Sequence, residues 1–307
     1  MKKLRFVVSL IVAENNYQQE QAAAAREAAQ RLGADIEIIY AGNDAIAQGQ
    51  QLLEAIQSQS RRPDGIICHP VGTPLAQVAR QAASVGIGWA ILNREADYIY
   101  ELRKNSSVPI FSVTVDQHEI GRIQGRQFQA LLPEGGLGLY ITGPGANPAC
   151  KMRSEGMEST RPKNIQLRTL AGKLTEQSGY DVVLQWLSLS TSRTSPIELV
   201  AAQNDNMAMG ARKAFIEKMT SETRERWSNL LYTGCDACPG SGEKWVREGS
   251  LNASVVLPPS AGRALEMLAK ALHTSEQPPE RTELSPRPLP ELEKLAAKAR
   301  FKTAASK

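Results

Sequence analysis

The sequence predicts an α/β protein built as two tandem Rossmann-like lobes with parallel sheets, and three observations carry that prediction. Short, near-continuous apolar runs alternate with helix-patterned stretches along most of the chain. The alternation restarts near Glu119, after a first complete series. The apolar runs stop at polar residues, as strands do where they reach the rim of a parallel sheet covered on both faces. At 307 residues the chain is long enough for two domains of about 150 residues. With 42% hydrophobic and 22% charged residues it has an ordinary globular composition.

The first run, FVVSLIV, is β-rich, and the alanine-rich stretch Gln18–Leu32 reads as a helix stopped by Gly33. IEIIY (Ile36–Tyr40) is a strand, followed by turn residues Asn43 and Asp44. Ala45–Gln59 places Ile46, Leu52, Leu53 and Ile56 on one side of a helix. GIICHP (Gly65–Pro70) is a strand running into a loop, and Pro74 suits the first turn of a helix reaching Val85. GWAILN (Gly88–Asn93) and IFSVTVD (Ile110–Asp116) complete the first series. In the second, helices are expected over Glu119–Leu132, from Met152 onward, and over Gly179–Leu189, Asn206–Glu217 and Gly242–Glu248. They alternate with strands Gly138–Gly143, Ile165–Leu170, Ile197–Ala202, Leu230–Gly234 and Ala253–Val256. Ala261–Leu272 closes the series as an amphipathic helix.

The seam near Asp116–Gly121 is not rich in Pro or Gly, so strands crossing between lobes, a multi-strand hinge, are expected there. From Glu276 the chain is rich in proline and charge and reads as an extended, loosely attached tail. Within it PELEKLAAKARF puts Leu292, Leu295, Ala299 and Phe301 on one side of a short helix.

In open parallel sheets ligands bind beyond the carboxyl ends of the strands. The residues there are Asn15 and Asn16, Pro70, Asn93 and Arg94, Asp116, Gly143–Asn147, Asn204 and Asp205, and Asp236. Amides, guanidinium groups and carboxylates offer paired donors and acceptors to adjacent hydroxyls, the chemistry of a sugar or polyol. Each also has a plainer reading: Asp205 as a helix N-cap before Met207, Arg94 as one half of a surface ion pair.

The order of these motifs resembles the periplasmic binding protein type I family, especially ribose-binding proteins, and is similar to the effector domains of lac-repressor-type regulators. AAQNDNMAMGARKAF (Ala201–Phe215) is the most specific stretch, and VVSLIVAENNY, AILNREA, ACKMRSEGM and YTGCDACPGSGEKWVREGSLNASVVLPP follow the same order. The likeness runs from about Leu4 to Leu272. It implies lobe one over residues 1–115 plus 258–275, lobe two over 116–257, and a tail over 276–307. It implies hinge strands near Asp116 and Leu257, which close the lobes on a ligand held between them. Its implied ligand-binding residues are Asn15, Tyr17, Arg94, Arg153, Asn204 and Asp236, with Asn93 and Lys151 as possible additions. Asn93 stands where the family has aspartate, Leu174 where an aromatic is common and Leu257 where glutamine is expected. With Arg94, Lys151 and Arg153 available, an acidic or phosphorylated sugar is the alternative to a neutral monosaccharide.

Other chemistries find little support. Of three histidines, His69 adjoins Cys68 on a strand, so the two side chains point to opposite faces and form no nucleophile–base pair. GPGANP (Gly143–Pro148) lacks the third glycine and the following Gly-Lys-Ser/Thr of a phosphate loop. CDAC (Cys235–Cys238) has no second cysteine pair at metal spacing and reads as a tight turn. Neither catalytic residues, a metal nor a cofactor is therefore expected. A net charge of +4 and 5% aromatics give no footprint for nucleic acid, and no apolar run approaches the roughly 20 residues of a membrane helix. The opening MKKLRFVVSLIVAENNY has the outline of an export signal, but Glu14-Asn15-Asn16 is a poor cleavage site. It reads as the first strand, which makes the cytoplasm the expected compartment on this sequence and the periplasm or cell envelope the alternative. The expected partners are a small sugar or polyol and either an ABC permease or a signalling protein.

Overall fold

The computed structural model describes residues 3–72, 75–94, 96–192 and 194–297. Pro74, Ala299 and Phe301, read above as helix residues, lie outside them. In chain order the elements are β1 (Arg5–Leu10), α1 (Asn16–Leu32), β2 (Asp35–Tyr40), α2 (Ala45–Gln57), β3 (Gly65–Cys68), α3 (Ala76–Ser84), β4 (Gly88–Leu92), α4 (Tyr98–Lys104) and β5 (Ile110–Val115). Then come α5 (Gln117–Leu131), β6 (Gly136–Thr142), α6 (Pro148–Thr160), β7 (Ile165–Ala171), α7 (Glu176–Leu187), β8 (Ile197–Ala202), α8 (Asp205–Glu217), α9 (Arg224–Ser228), β9 (Leu231–Thr233), α10 (Lys244–Arg247), β10 (Ser254–Val256), α11 (Ser260–Thr274), β11 (Arg281–Leu284) and β12 (Arg287–Leu289). The chain forms two compact units: residues up to Val115 with Pro258–Leu284, and Asp116–Leu257 with the chain from Ser285.

The first unit is a six-stranded sheet of order β2-β1-β3-β4-β5-β11, parallel throughout. The period of two in a strand decides its layers. Phe6, Val8, Leu10, Ile67, Leu92 and Phe111 face the alanine side of α1 and the apolar side of α11. Val7, Ile66, Trp89, Ile91 and Ile110 face α2, α3 and α4 on the other side. Each fully buried side chain of this size is worth about 1.5–3 kcal/mol. β1 lies between β2 and β3, so the apolar opening of the chain is a central strand. Asn15 caps α1, and Gly33, in the left-handed region at φ 62°, ends it. Asp44, read as a turn residue, is the N-cap of α2.

The second unit repeats the plan. Its parallel sheet has the order β7-β6-β8-β9, and bridges Thr233–Ala253 and Asp236–Val256 place β10 beside the β9 end. One face packs on α7 and α8, where the Phe215 and Trp227 rings meet edge-on at 5.3 Å. The other packs on α5 and α6 through Phe128, Tyr140 and Met157.

Three features differ from the sequence expectation. The segment read as a loosely attached tail is built into both units: β11 pairs in parallel with β5, and β12 pairs antiparallel with β10. Its charges stand outward at alternate positions, Arg281 and Glu283 exposed and Thr282 and Leu284 half-buried, a pattern edge strands use. Leu295, at 1% exposure, plugs the core of the second unit. Gly242–Glu248 is not one helix but a π-helical turn at Pro239–Glu243 running into α10. The short helices α4 and α9 were not expected, because each buries essentially one side chain, Ile99 or Trp227, and shows no periodicity.

Candidate functional site

At the carboxyl end of the first sheet the chain leaves β1 and turns into α1. Asn15 Oδ1 accepts from Gln18 N at 3.1 Å, which caps the helix. Gln18, buried, accepts from Ile11 N at 2.9 Å and donates to His69 Nδ1 at 3.0 Å. Acceptance at Nδ1 leaves the proton of the neutral ring on Nε2. Burial, and then the charge of Arg94, push His69 down to about 3, so the imidazole is neutral. Gln48, fully buried, donates to Ser9 Oγ and to the His69 carbonyl, both at 3.0 Å, and accepts from Val71 N at 2.8 Å. At the end of β4, Asn93 adopts φ 54°, a conformation asparagine tolerates better than most residues. Its Nδ2 donates to Tyr17 Oη at 3.2 Å, and its Oδ1 lies 3.3 Å from the Ser260 hydroxyl. Tyr17, Asn93 and Arg94 are all half-buried. The fold thus joins Tyr17 to Asn93 directly and sets Arg94 within electrostatic reach of His69.

The corresponding end of the second sheet is richer in charge. Asn147 Oδ1 accepts from Ala149 N at 3.1 Å and caps α6, with Pro148 in its first turn. Arg153, one turn on, donates from Nε to Gln117 Oε1 at 2.8 Å and from Nη1 to the Gln203 carbonyl at 2.7 Å. Gln203 is itself fixed: its Oε1 accepts from Gly143 N at 2.8 Å, and its Nε2 lies 2.9 Å from the Cys150 carbonyl and from Ser154 Oγ. Asn204, 3% exposed, is the cap of α8, accepting from Met207 N at 2.9 Å and donating to the Leu174 carbonyl at 2.8 Å. This corrects the reading of Asp205 as the cap. Asp205 is already the first helical residue, and its buried carboxyl accepts from Ala237 N at 2.7 Å and from the Ser254 hydroxyl at 2.6 Å.

Asp236 and Ala237 have φ 109° and 44°. Two successive non-glycine residues in that region carry strain of order 1–3 kcal/mol each. Burial pushes Asp236 up to about 7, against the opposing pull of Arg153. Burial, and then the charge of Asp236, hold Asp205 well above the usual carboxylate range. One guanidinium and two carboxyl groups that resist ionising together therefore share this end of the sheet.

The remaining predicted residues have other placements. Lys151 is exposed and lies 3.9 Å from Glu155. Asp116 caps α5 through Glu119 N at 2.8 Å and meets Arg122 at 3.2 Å. Leu257 is buried, its N–H 3.4 Å from the Asp236 carbonyl. All four cysteines are buried and unbridged, and burial raises the Cys68 thiol to about 12 and pushes the Cys235 thiol up as well. Among the described residues no group of His, Cys, Asp and Glu is placed to hold a metal ion. Gln18, Gln48, Gln117 and Gln203 were missed as members of the polar frame. Gln203 was in view as the first letter of Gln-Asn-Asp, but the partners of all four are set by the fold.

A model of the periplasmic binding protein domain matches residues 6–277. The chain belongs to the periplasmic binding protein domain family. Solved periplasmic binding proteins of the same fold include an ABC transporter periplasmic solute binding protein from Actinobacillus succinogenes 130z with bound D-allose. It is 18% identical, with a TM-score of 0.80 over 96% of this chain and 100% of that one. An ABC transporter solute binding protein from Bacillus halodurans C-125 with bound myo-inositol is 23% identical, with a TM-score of 0.72 over 96% and 98%. A fructose binding periplasmic domain of a hybrid two component system is 19% identical, with a TM-score of 0.73 over 99% and 95%. At these identities the likeness shows the fold. No curated protein matches the chain in sequence.

Proposed function

We propose that the chain binds a monosaccharide or related polyol without catalysis, as the solute-binding component of a sugar ABC transporter. The observation that carries this reading is Arg153 beside Asp236 at the carboxyl end of the second sheet, with the amide of Asn204 at the end of β8. A fixed cation and a carboxylate together can donate to and accept from neighbouring hydroxyls. Tyr17, Asn93 and Arg94, at the same end of the first sheet, supply an aromatic ring, an amide and a second cation. In this proposal both sets hold one ligand and the lobes close on it, because neither set alone satisfies a polyol. The allose- and inositol-bound neighbours support the ligand class, and the first of them supports a place in the periplasm and a permease as partner. The two-component neighbour favours a second reading, a sugar sensor signalling to a protein partner. Arg94 beside a neutral His69 keeps an acidic or phosphorylated sugar as the alternative ligand.

A melting-shift panel tests the reading, with D-allose, myo-inositol, pentoses, sugar acids and sugar phosphates at millimolar concentration. A ligand at a hundred times its Kd adds about 2.7 kcal/mol to folding stability, a rise of several degrees. Silence across the panel sinks the proposal, and a response to the acids and phosphates alone selects the alternative ligand. Fall of the radius of gyration on saturation tests closure, and cell fractionation tests the compartment.

A further inference from the structure

The carboxyl group of Asp205 is enclosed more tightly than a helix-opening residue requires. A Cβ added to Gly234 would lie 2.1 Å from Asp205 Oδ1, and one added to Gly242 would lie 1.9 Å from Oδ2. Only glycines fit at those two points. Each carboxyl oxygen receives one donor, Ser254 Oγ at 2.6 Å and Ala237 N at 2.7 Å. The backbone N–H of Asp205 donates to the Cys235 carbonyl at 2.7 Å. One residue on α8 therefore grips the chain on both sides of Asp236, at Cys235 and at Ala237. Asp236 is also tied to β10, its N–H donating to the Val255 carbonyl at 3.0 Å.

We propose that Asp205 is a positioning residue for the ligand site of the second lobe: its buried carboxyl group clamps the Cys235–Ala237 turn and so holds Asp236 within reach of Arg153. This rests on the reading that Arg153 and Asp236 meet a sugar. Asp205 touches no ligand itself. Among the described residues, the charged and titratable groups that face Asp236 include Arg153 on α6, Asp205 on α8, and Cys235 next in the chain. Asp205 is the deeper of the two acids, and burial, then the charge of Asp236, hold it well above the usual carboxylate range. An asparagine at 205 keeps the shape and one acceptor oxygen without the charge. Its oxygen can still accept from Ala237 N, and the Ser254 hydroxyl can reverse its role and accept. An alanine removes the clamp and leaves the Ala237 N–H without that acceptor, although the backbone tie to Cys235 stays.

The test uses the full chain labelled with ¹³C at aspartate carboxyls, the Asp236 signal being assigned by its loss in Asp236→Asn. Burial pushes Asp236 up to about 7 in the wild type, so its midpoint is expected there. In Asp205→Asn the midpoint stays near that value. In Asp205→Ala the turn loosens, Asp236 gains water, and its midpoint falls by at least about one unit toward the ordinary aspartate range. Calorimetry with D-allose and myo-inositol follows. Binding that needs the ionised Asp236 is about tenfold weaker at pH 6 than at pH 8 for a midpoint near 7. Asp205→Asn keeps that profile, whereas Asp205→Ala binds at least about tenfold more weakly at pH 8 and loses the profile. Ser254→Ala, which withdraws only the donor to Oδ1, lowers the Asp236 midpoint in the same direction and serves if Asp205→Ala does not fold. An unchanged midpoint in folded Asp205→Ala or Ser254→Ala overturns the assignment, as does damage in Asp205→Asn equal to that in Asp205→Ala. If neither sugar binds the wild type but the midpoints move as stated, the sugar reading falls and the clamp stands. If a sugar binds and the midpoints do not move, the clamp falls alone.

Discussion

Arg153 is aimed by α6, and α6 is placed by α5 through glycine on each side of their contact. A Cβ at Gly121 of α5 would lie 2.0 Å from the Arg153 carbonyl oxygen and 2.6 Å from Met157 N; one at Gly156 of α6 would lie 2.0 Å from the His118 carbonyl oxygen. Ordinary contact begins near 3.4 Å, so Gly121→Ala falls more than an ångström short. The obstacle is backbone, which cannot rotate away as a side chain would. Overpacking of this kind costs about 1–3 kcal/mol, and a rigid obstacle puts the cost near the upper end. Replacing glycine by alanine inside a helix returns about 1 kcal/mol. The net loss is then about 1–2 kcal/mol. At about 2–4 °C per kcal/mol for a domain of this size, the melting temperature falls by roughly 2–8 °C. The colliding atom belongs to Arg153 itself, so α6 must move and draw the guanidinium off Gln117 and Gln203, and sugar affinity falls with stability. Gly49 of α2 is the control, because its added Cβ meets nothing within 4 Å and its φ is not positive. Gly49→Ala raises the melting temperature. Scanning calorimetry of the two variants decides the matter: a Gly121→Ala protein that melts at or above the wild type refutes the claim that this helix contact is limited by backbone.

Three further outcomes follow from the same structure. Arg153→Ala weakens binding of whichever panel sugar responds by at least about tenfold, since losing a charged partner of a buried hydrogen bond costs about 2–5 kcal/mol; calorimetry showing equal affinity removes Arg153 from the site. Leu295→Ala destabilises the second unit by about 2–5 kcal/mol, because that side chain is 1% exposed in its core; a urea midpoint equal to wild type would return the segment after β12 to the status of a loose tail. His69 has a folded-state value near 3 against 6.5 for the free group, so below pH 6.5 the unfolded chain binds a proton that the folded chain refuses, and stability is lost as pH falls from 6.5 toward 3. His69→Gln therefore shows a smaller drop in urea midpoint between pH 7 and 4.5 than the wild type does, and parallel drops would place His69 in contact with water.

The alternation of strand and helix was readable because it is local. FVVSLIV, GIIC and IELVAA are buried along most of their length and stay apolar apart from Ser9 and Glu198, while α1 and α11 show their inner sides as alanine and leucine at helical spacing. The last segment was misread for the opposite reason. Its proline and charge content describes what faces outward, whereas its place is fixed by backbone pairing with β5 and β10, partners more than thirty residues away. Asn204 and Asp205 show the same limit at the site. Both are polar and adjacent at a strand end, and composition cannot say which caps the helix. The answer depends on Leu174 and Ser254, which reach them from elsewhere in the fold.

The caps themselves give a reason for the chemistry at these strand ends. Asn15, Asp44, Asp116, Asn147 and Asn204 each spend one side-chain oxygen on the first turn of the helix that follows. Those helices begin where the strands end, so each sheet has partial positive charge from helix N-termini along the same edge. Arg94 and Arg153 add to it, and the carboxyl groups of Asp205 and Asp236 oppose it in the second unit only. The amide oxygens of Asn15, Asn147 and Asn204 are committed to the frame, which fixes the orientation of these side chains. We propose that the residues that distinguish one hydroxyl pattern from another are those that cap no helix: Tyr17, Asn93, Arg94, Arg153 and Asp236. A substitution that exchanges a cap, such as Asn204→Ser, should accordingly lower stability and affinity together for every sugar in the panel, because serine keeps the cap oxygen but loses the donor to Leu174. Asn93→Asp instead should reorder the panel while leaving the melting temperature of the free protein nearly unchanged. If calorimetry across the panel showed the reverse assignment, with Asn204→Ser changing preference and Asn93→Asp scaling all affinities alike, the division between frame and recognition would have to be redrawn.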